Sequence, residues 1–550
     1  MNLVRYAVLG TLLCLTVGLR SSPTQPNVVF IVVDDLRPML GCYGAPALTP
    51  NIDRLASRGL VFDRAYSQQA LCNPSRASFL TGLRPDATRV YDLTTHFRQR
   101  VPEVVTLPQH FREKGYHTRA LGKIFHPAFP GLGIGSDLGD PISWSVPAWL
   151  GGPRYYYSAV GVRLAREAYG QAMQATGPGV PNWVKEAKTR RALRSTGEGA
   201  GDGLDDWTEV NVRVLATEAP EVPDETLYDG QVAQRAVAAI RHFAEPSFGG
   251  RPFFLAVGFL RPHLPFVAPR KYWELYDPAK IEIAKNSLAP LGVPAMAMAT
   301  PMNELLDTYP QDVRVGGPQT SPAMDSPPYR LPRDGKLTRD QQLQLHRGYL
   351  ACVSYVDAQV GRVMSELERL HLLENTIVVF VGDHGFSLGE HGLWGKLTNF
   401  EEATRAPLII CAPHRQSPGR TQALVELLDI YPTICDLAGL PLPSHVQGVS
   451  LTPLWENPKR EWKHAAFSQY PRGSHMGYSM RTDRYRFTHW QNTQHPGLRE
   501  KFELYDHTND PGENTNLAAQ PEHSALVEDL SKRLRSHLAD HSVARPSNGF

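Results

Sequence analysis

Two seven-residue runs, NVVFIVV at 27–33 and TIVVFVG at 376–382, restrict the fold of this chain more than any other feature. A strand with one wet face alternates polar and apolar residues. An unbroken β-branched run needs apolar cover on both faces. Both runs stop at acidic or imidazole side chains, Asp34–Asp35 in one case and Asp383–His384 in the other. Similar runs recur at FFLAVGF (253–259), which leads to His263, and at PLIICAP (407–413). Between them lie segments of helical spacing. TPNIDRLASRG is opened by Thr49 and Pro50 and stopped by Gly59, and TLPQHFREKG runs on into a strand ending at Lys123. HRGYLACVSYVDAQVGRVMSELERLHLL is one long amphipathic helix. Helix and buried strand in alternation predict an α/β fold with a large, mostly parallel central sheet flanked by helices.

The organisation around this core is read from texture. Arg5 precedes an apolar run at 7–19, too short to span a bilayer, which predicts a signal peptide over 1–22 and a catalytic domain over 26–455. After residue 455 short strands, turns and a last helix predict a smaller C-terminal α+β subdomain, 456–550. Stretches 127–225 and 278–335 are rich in Gly and Pro, lack sustained periodicity and read as insertions that shape a cleft. A net charge of +2 over 550 residues gives no global field for nucleic acid, and no later segment predicts membrane insertion. Beyond Cys14, inside the signal, five cysteines remain, too few for a disulfide scaffold. No Asn-x-Ser/Thr acceptor occurs, since Pro74 disqualifies Asn73. Export to a periplasm or the outside is the expected location, with a lysosome as the alternative.

Open α/β sheets bind ligands beyond the carboxyl ends of their strands. Those ends carry Asp34, Asp35, Lys123, His126, His263, Asp383 and His384. Three carboxylates at one edge repel unless a cation lies between them, and their oxygens suit Ca²⁺ or Mg²⁺. Zinc is disfavoured because the cysteines lack ligand spacing. The alternative is that the carboxylates pair with Lys123 and Arg76. Arg76, Lys123, Lys396 and the histidines could surround an anion, beside a helix that begins near Cys72 and Pro74. A metal and several cations about one tetrahedral anion point to sulfuryl or phosphoryl transfer.

The stretch CNPSR at 72–76, completed by Thr81–Gly82, with VDD before it and GDHG after it, resembles the C-x-P-S-R signature of type I, formylglycine-dependent sulfatases. VDDLRPMLGCYG, GKIFHP, FFLAVGFLRPHLPF, DHGFSLGEHGLWGK and AFSQYPRGSHMGYSMRTDRYRFTHW are most similar to the iduronate-2-sulfatase branch. The resemblance spans nearly the whole chain outside the two insertions, and it implies an alkaline-phosphatase-like sandwich. It implies one Ca²⁺ per chain, held by Asp34, Asp35, Asp383 and His384 with position 72 completing the shell. A formylglycine-generating enzyme would convert Cys72 during maturation. Arg76, Lys123 and His126 would hold the resulting hydrate, and His263 and Lys396 would contact the sulfate and leaving oxygen. Asp383 would take the proton of the attacking hydroxyl, His263 would protonate the departing sugar oxygen, and His126 would take the second proton.

The expected substrate is a sulfated oligosaccharide, with the 2-O-sulfate of a terminal iduronate in heparan or dermatan sulfate fragments as the leading case. Arg481 and Arg484 could meet a uronate carboxylate, or form surface salt bridges. Three alternatives stand beside this reading: another carbohydrate sulfatase, a phosphodiesterase or phosphonate hydrolase on the same fold, and a Ca²⁺-dependent glycan-binding protein with an unconverted cysteine.

Overall fold

The computed structural model describes residues 25–126, 139–152, 154–174, 176–177, 188, 213–298, 305, 314–315, 329–330, 337–413, 419–495, 497–498 and 500–541. The signal reading over 1–22 and much of both insertion readings lie outside these residues.

The central sheet has seven strands: β1 (Asn27–Val33), β2 (Leu60–Tyr66), β3 (His117–Gly122), β4 (Phe253–Phe259), β5 (Thr376–Gly382), β6 (Arg405–Cys411) and β7 (Gly419–Glu426). Their spatial order is β7-β2-β6-β5-β1-β4-β3. β3, β4, β1 and β5 pair in parallel, as do β7 and β2. β6 runs antiparallel to both its neighbours. The fold is therefore the mixed, mostly parallel sheet that the apolar runs predict.

Side-chain alternation explains why β1 carries no polar face. Val29, Ile31 and Val33 enter one core, which helices Tyr228–Phe243 and Arg339–Arg369 cover. Val28, Phe30 and Val32 enter a second core on the opposite face, shared with Phe79, Leu80, Phe111 and Tyr431. Successive residues of a strand point to opposite faces, so a sheet covered twice needs apolar residues at every position. Helix Arg339–Arg369 begins at a capping box in which Thr338 and Gln341 exchange hydrogen bonds.

Three local expectations are corrected. Helix Pro50–Ala56 is present, but the Thr49 side chain caps none of its amides; the hydroxyl accepts from Gly41 N–H and donates to Asp53. Gly59 lies beyond that helix, where a Cβ would come within 2.6 Å of Cys411 Sγ, so close packing on β6 sets its identity. In the first insertion, helix Ala159–Gln174 forms where no sustained period is legible, burying only Gly161, Ala165 and Tyr169.

The C-terminal part holds a four-stranded antiparallel sheet, β8 (Ala466–Arg472), β9 (His475–Arg481), β10 (Tyr485–Asn492) and β11 (Lys501–Asp506), paired in sequence order. Leu530 and Leu534 of helix Ser524–His541 pack on it with Met480, Phe487 and Leu504. Among the described residues no helix is long and apolar enough to cross a membrane, and the five cysteines present are all free thiols.

Candidate active site

Because β3, β4, β1 and β5 are mutually parallel, their carboxyl ends share one edge, and the side chains just beyond them meet there. Asp34 N–H bonds Phe259 O at 3.1 Å and Asp383 N–H bonds Val33 O at 3.2 Å, which extends the ladder into the acidic residues. Asp35 turns into the left-handed region at φ 57°, a conformation that Asp tolerates better than most residues. Its amide donates to Asp383 Oδ1 at 3.0 Å and its carbonyl accepts from Tyr349 at 2.8 Å.

Helix Cys72–Thr81 supplies the opposing wall, and every residue in it is buried. It ends at Gly82, which adopts φ 72° and closes the last turn on Ser78 O. Cys72 is its first residue, as the Pro74 spacing predicts. Cys72 Sγ lies 3.4 Å from His384 Nε2 and 3.8 Å from Asp35 Oδ1. Ser75 donates to the Asp383 carbonyl.

Arg76, fully buried, ties the cluster together. It donates to Asp383 Oδ2 at 2.8 Å, to Asp34 Oδ1 at 2.9 Å, and to the carbonyls of Lys123 and Ile124 at 2.6 and 2.8 Å. Lys123 Nζ reaches Asp34 Oδ2 at 2.5 Å, and Lys396 Nζ reaches both oxygens of Asp35 at 2.6 and 2.7 Å. Burial alone would raise the Asp34 carboxyl. Lys123 and Arg76 outweigh it and hold that carboxyl well below its ordinary range. The pairing alternative is thus partly realised: Asp34, Asp35 and Asp383 face three fixed cations, Arg76, Lys123 and Lys396.

The histidines divide by environment. His384 Nδ1 bonds Gly385 O at 2.9 Å, and its Nε2 lies 3.5 Å from Asp35 Oδ1 and 3.6 Å from Asp383 Oδ1. His263 Nδ1 bonds Leu264 O at 2.7 Å, and a His263 nitrogen shares one cluster with Asp34, Asp35 and Cys72, its ligand atoms all within 4.8 Å of one another. Burial, then Lys396, pushes His263 well below its ordinary value. Burial, then Lys123, does the same to His126, whose Nδ1 is buried without a hydrogen-bond partner.

The donor set fits a hard cation. Asp34, Asp35, Cys72 and His263 form one set of possible ligand atoms, Cys72, Asp383 and His384 a second that shares residue 72, and the carboxylate oxygens of the two suit Ca²⁺ or Mg²⁺. Lys396 covers both oxygens of Asp35, so an ion bound there competes with that ammonium.

The two weakest sequence candidates do not join the cluster. Arg481, buried, pairs with Glu401 at 3.2 Å and bonds the carbonyls of Thr482 and Asp483. Arg484 pairs with Asp506 at 2.7 Å with half its side chain in water. Both are engaged in salt bridges in this structure, the other arrangement the sequence allowed for them.

Sequence reasoning missed three supports. Tyr349 holds the turn at Asp35 and also accepts from Arg37 N–H at 2.9 Å. Asp229 accepts from Leu260 and Arg261 N–H at 2.7 and 3.0 Å, which fixes the start of the loop carrying His263. Asn73 anchors the start of helix Cys72–Thr81 to Asp92 O and Thr95 O. Asn73 stands within the recognised motif; nothing local in the sequence marks the other two.

The family described as Sulfatase matches residues 26–126 and 146–440, and N-sulphoglucosamine sulphohydrolase, C-terminal, matches 389–540. Iduronate 2-sulfatase of Mus musculus is 34% identical over 578 residues, covering 92% of this chain and 93% of the relative. A solved structure in complex with its substrate D-glucosamine-2-N,6-O-disulfate matches with a TM-score of 0.67 at 22% identity, over 96% of this chain and 100% of that one. The phosphonate monoester hydrolase of Agrobacterium radiobacter matches at 0.66 and 22%, over 94% and 96% of the two chains. The last two likenesses speak for the fold.

Proposed function

The chain belongs to the sulfatase family, and from that premise we propose that this sulfuric ester hydrolase removes the 2-O-sulfate from a terminal iduronate of heparan or dermatan sulfate fragments. The observation that carries the reading is the meeting of Asp34, Asp35, Asp383 and His384 on Cys72, with Arg76, Lys123 and Lys396 around them. The iduronate substrate rests on the 34% identity with iduronate 2-sulfatase over 92% of the chain.

Asp34, Asp35, Asp383 and His384 would hold Ca²⁺, which when bound supplies positive charge to the sulfate oxygens and acidifies a neighbouring hydroxyl. Cys72, once converted to formylglycine by a formylglycine-generating enzyme, would be the residue that provides the attacking oxygen. Arg76 orients this wall by gripping Asp34 and Asp383 together. Lys123 and Lys396 neutralise sulfate charge as it enters. His126, neutral and with an unpartnered Nδ1, can accept a proton. His263, whose Nδ1 bonds Leu264 O, would serve the departing sugar oxygen. It must be protonated first, and an arriving sulfate ester favours that by adding negative charge beside it. Export to a periplasm or the outside goes with this reading.

The test is a panel of defined disaccharides with protein co-expressed with the maturation enzyme. Turnover of the 2-O-sulfated iduronate substrate above that of glucosamine 6-O- and N-sulfates is expected. Turnover confined to sulfates on other sugars would reject the iduronate assignment. Phosphonate monoesters belong in the same panel because a hydrolase of that class shares the fold; a faster rate on them would reverse the order of the two readings.

A further inference from the structure

Lys396 is followed by a residue in an unfavourable conformation. Leu397 adopts φ 71°, the left-handed region that residues other than glycine rarely occupy. Such a conformation persists only where its surroundings over-determine it. The Leu397 amide donates to Ala70 O at 3.2 Å, two residues before Cys72. The Leu397 carbonyl accepts from Arg472 Nη2. Arg472 ends β8, where it pairs with His475 across the turn into β9. Its Nη1 bonds Pro471 O at 3.3 Å and its Cζ lies 4.4 Å from the centroid of the Tyr470 ring. A second strut runs alongside: Asn399 Nδ2 donates to Gly477 O of β9 at 2.8 Å. The hairpin of the C-terminal sheet is therefore clamped onto the segment that aims Lys396 at Asp35.

We propose that Arg472 is a positioning residue: by holding the carbonyl of strained Leu397 it keeps Lys396 directed into the site, and it makes the C-terminal hairpin part of the catalytic machinery. This rests on the reading of Lys396 as a sulfate-contacting group. Arg472 acts through the backbone, because its two terminal nitrogens are engaged by carbonyls and its face by Tyr470.

The experiment compares Arg472→Gln and Arg472→Lys in the full-length protein, each alone and combined with Lys396→Ala. Arg472→Gln is expected to lower kcat roughly 10- to 100-fold with KM changed less than about threefold, the pattern of a lost transition-state interaction. Arg472→Lys recovers part of the loss, since an ammonium can still donate to one carbonyl. In the Lys396→Ala background Arg472→Gln adds nothing, because the two share one effect. Independently of turnover, amide exchange in residues 394–399 is expected to quicken at least about tenfold in Arg472→Gln while strand Thr376–Gly382 keeps its protection. A raised KM with unchanged kcat would make Arg472 a direct substrate contact and overturn the proposal, and so would additive losses. Unchanged exchange sinks the latch whether or not the enzyme is active. Unchanged kcat in Lys396→Ala sinks the role of Lys396, a separate result.

Discussion

Cys72 Sγ lies 3.4 Å from Nε2 of His384, in surroundings that disfavour a thiolate–imidazolium couple. Burial, then Asp34, pushes the thiol well above its ordinary value, and burial pushes His384 down. The thiolate is the reactive form of cysteine, so an unmodified Cys72 in this cluster is a poor nucleophile. That fits a residue converted before use.

Cys72→Ala should therefore abolish turnover and leave the fold intact. A fall in kcat of roughly 10⁴-fold or more is expected, as for loss of a nucleophile, with an unchanged thermal midpoint. The unsubstituted protein, matured with the converting enzyme, should lose about 18 Da at this residue, sulfur giving way to oxygen with loss of two hydrogens. Full activity in Cys72→Ala, or activity in a protein whose mass at residue 72 is unaltered, would refute the assignment.

Removal of calcium should lower both rate and stability. An ion that binds only the folded state adds about 2.7 kcal/mol at one hundred times its Kd. Dialysis against a calcium-selective chelator should lower the thermal midpoint, and returning Ca²⁺ should restore it. Asp35→Asn should blunt the response. A midpoint and a rate indifferent to the chelator would remove the ion from the reading.

Glu503 predicts a falling limb of stability with pH. It is 2% exposed, receives Trp490 Nε1–H and the Tyr505 hydroxyl, each at 2.7 Å, and is raised by burial from 4.5 to about 7. Between those values the folded state holds a proton that the unfolded chain has lost. Stability is fully present below pH 4.5 and is lost as pH rises through about 7. The loss is on the order of 3 kcal/mol. Denaturant titrations across this window should show the decline, and Glu503→Gln should flatten it. An equal slope in the variant would exclude Glu503 as its source.

The C-terminal sheet is fastened to the catalytic core by charge. Glu401 pairs with Arg481 at 3.2 Å and with Arg486 at 2.5 Å, and Arg486 also reaches Glu513 at 2.6 Å. Arg486 is 1% exposed, so its removal strands buried carboxylates. Arg486→Ala should cost about 3–5 kcal/mol, read in guanidinium melts, with amide exchange rising in β8–β11 before the central sheet. A loss below about 1 kcal/mol would show the pairing to be incidental.

The parallel sheet was legible because its cause is local. A strand buried on two faces must be apolar at every position, so β1, β4, β5 and β6 announce themselves in the chain. β2, LVFDRAY, and β7, GRTQALVE, carry polar residues within the strand and escape notice. Helix Ala159–Gln174 escaped too, since a helix that buries three small or aromatic residues leaves little period to read.

By itself the sequence determined which side chains stand at strand ends and at the start of a helix, and so which could converge: Asp34, Asp35, Cys72, Arg76, Lys123, His263, Asp383 and His384. Strand order and parallel direction were needed to put those ends on one edge, and both are long-range properties. The partnerships themselves come from long-range packing. It set Arg76 between Asp34 and Asp383, Lys396 on Asp35, Arg481 and Arg484 on other carboxylates, and Arg472 on Leu397. Each is a choice among many possible ion pairs and hydrogen bonds, made where burial strips away water and leaves the nearest buried charge or carbonyl as the available partner.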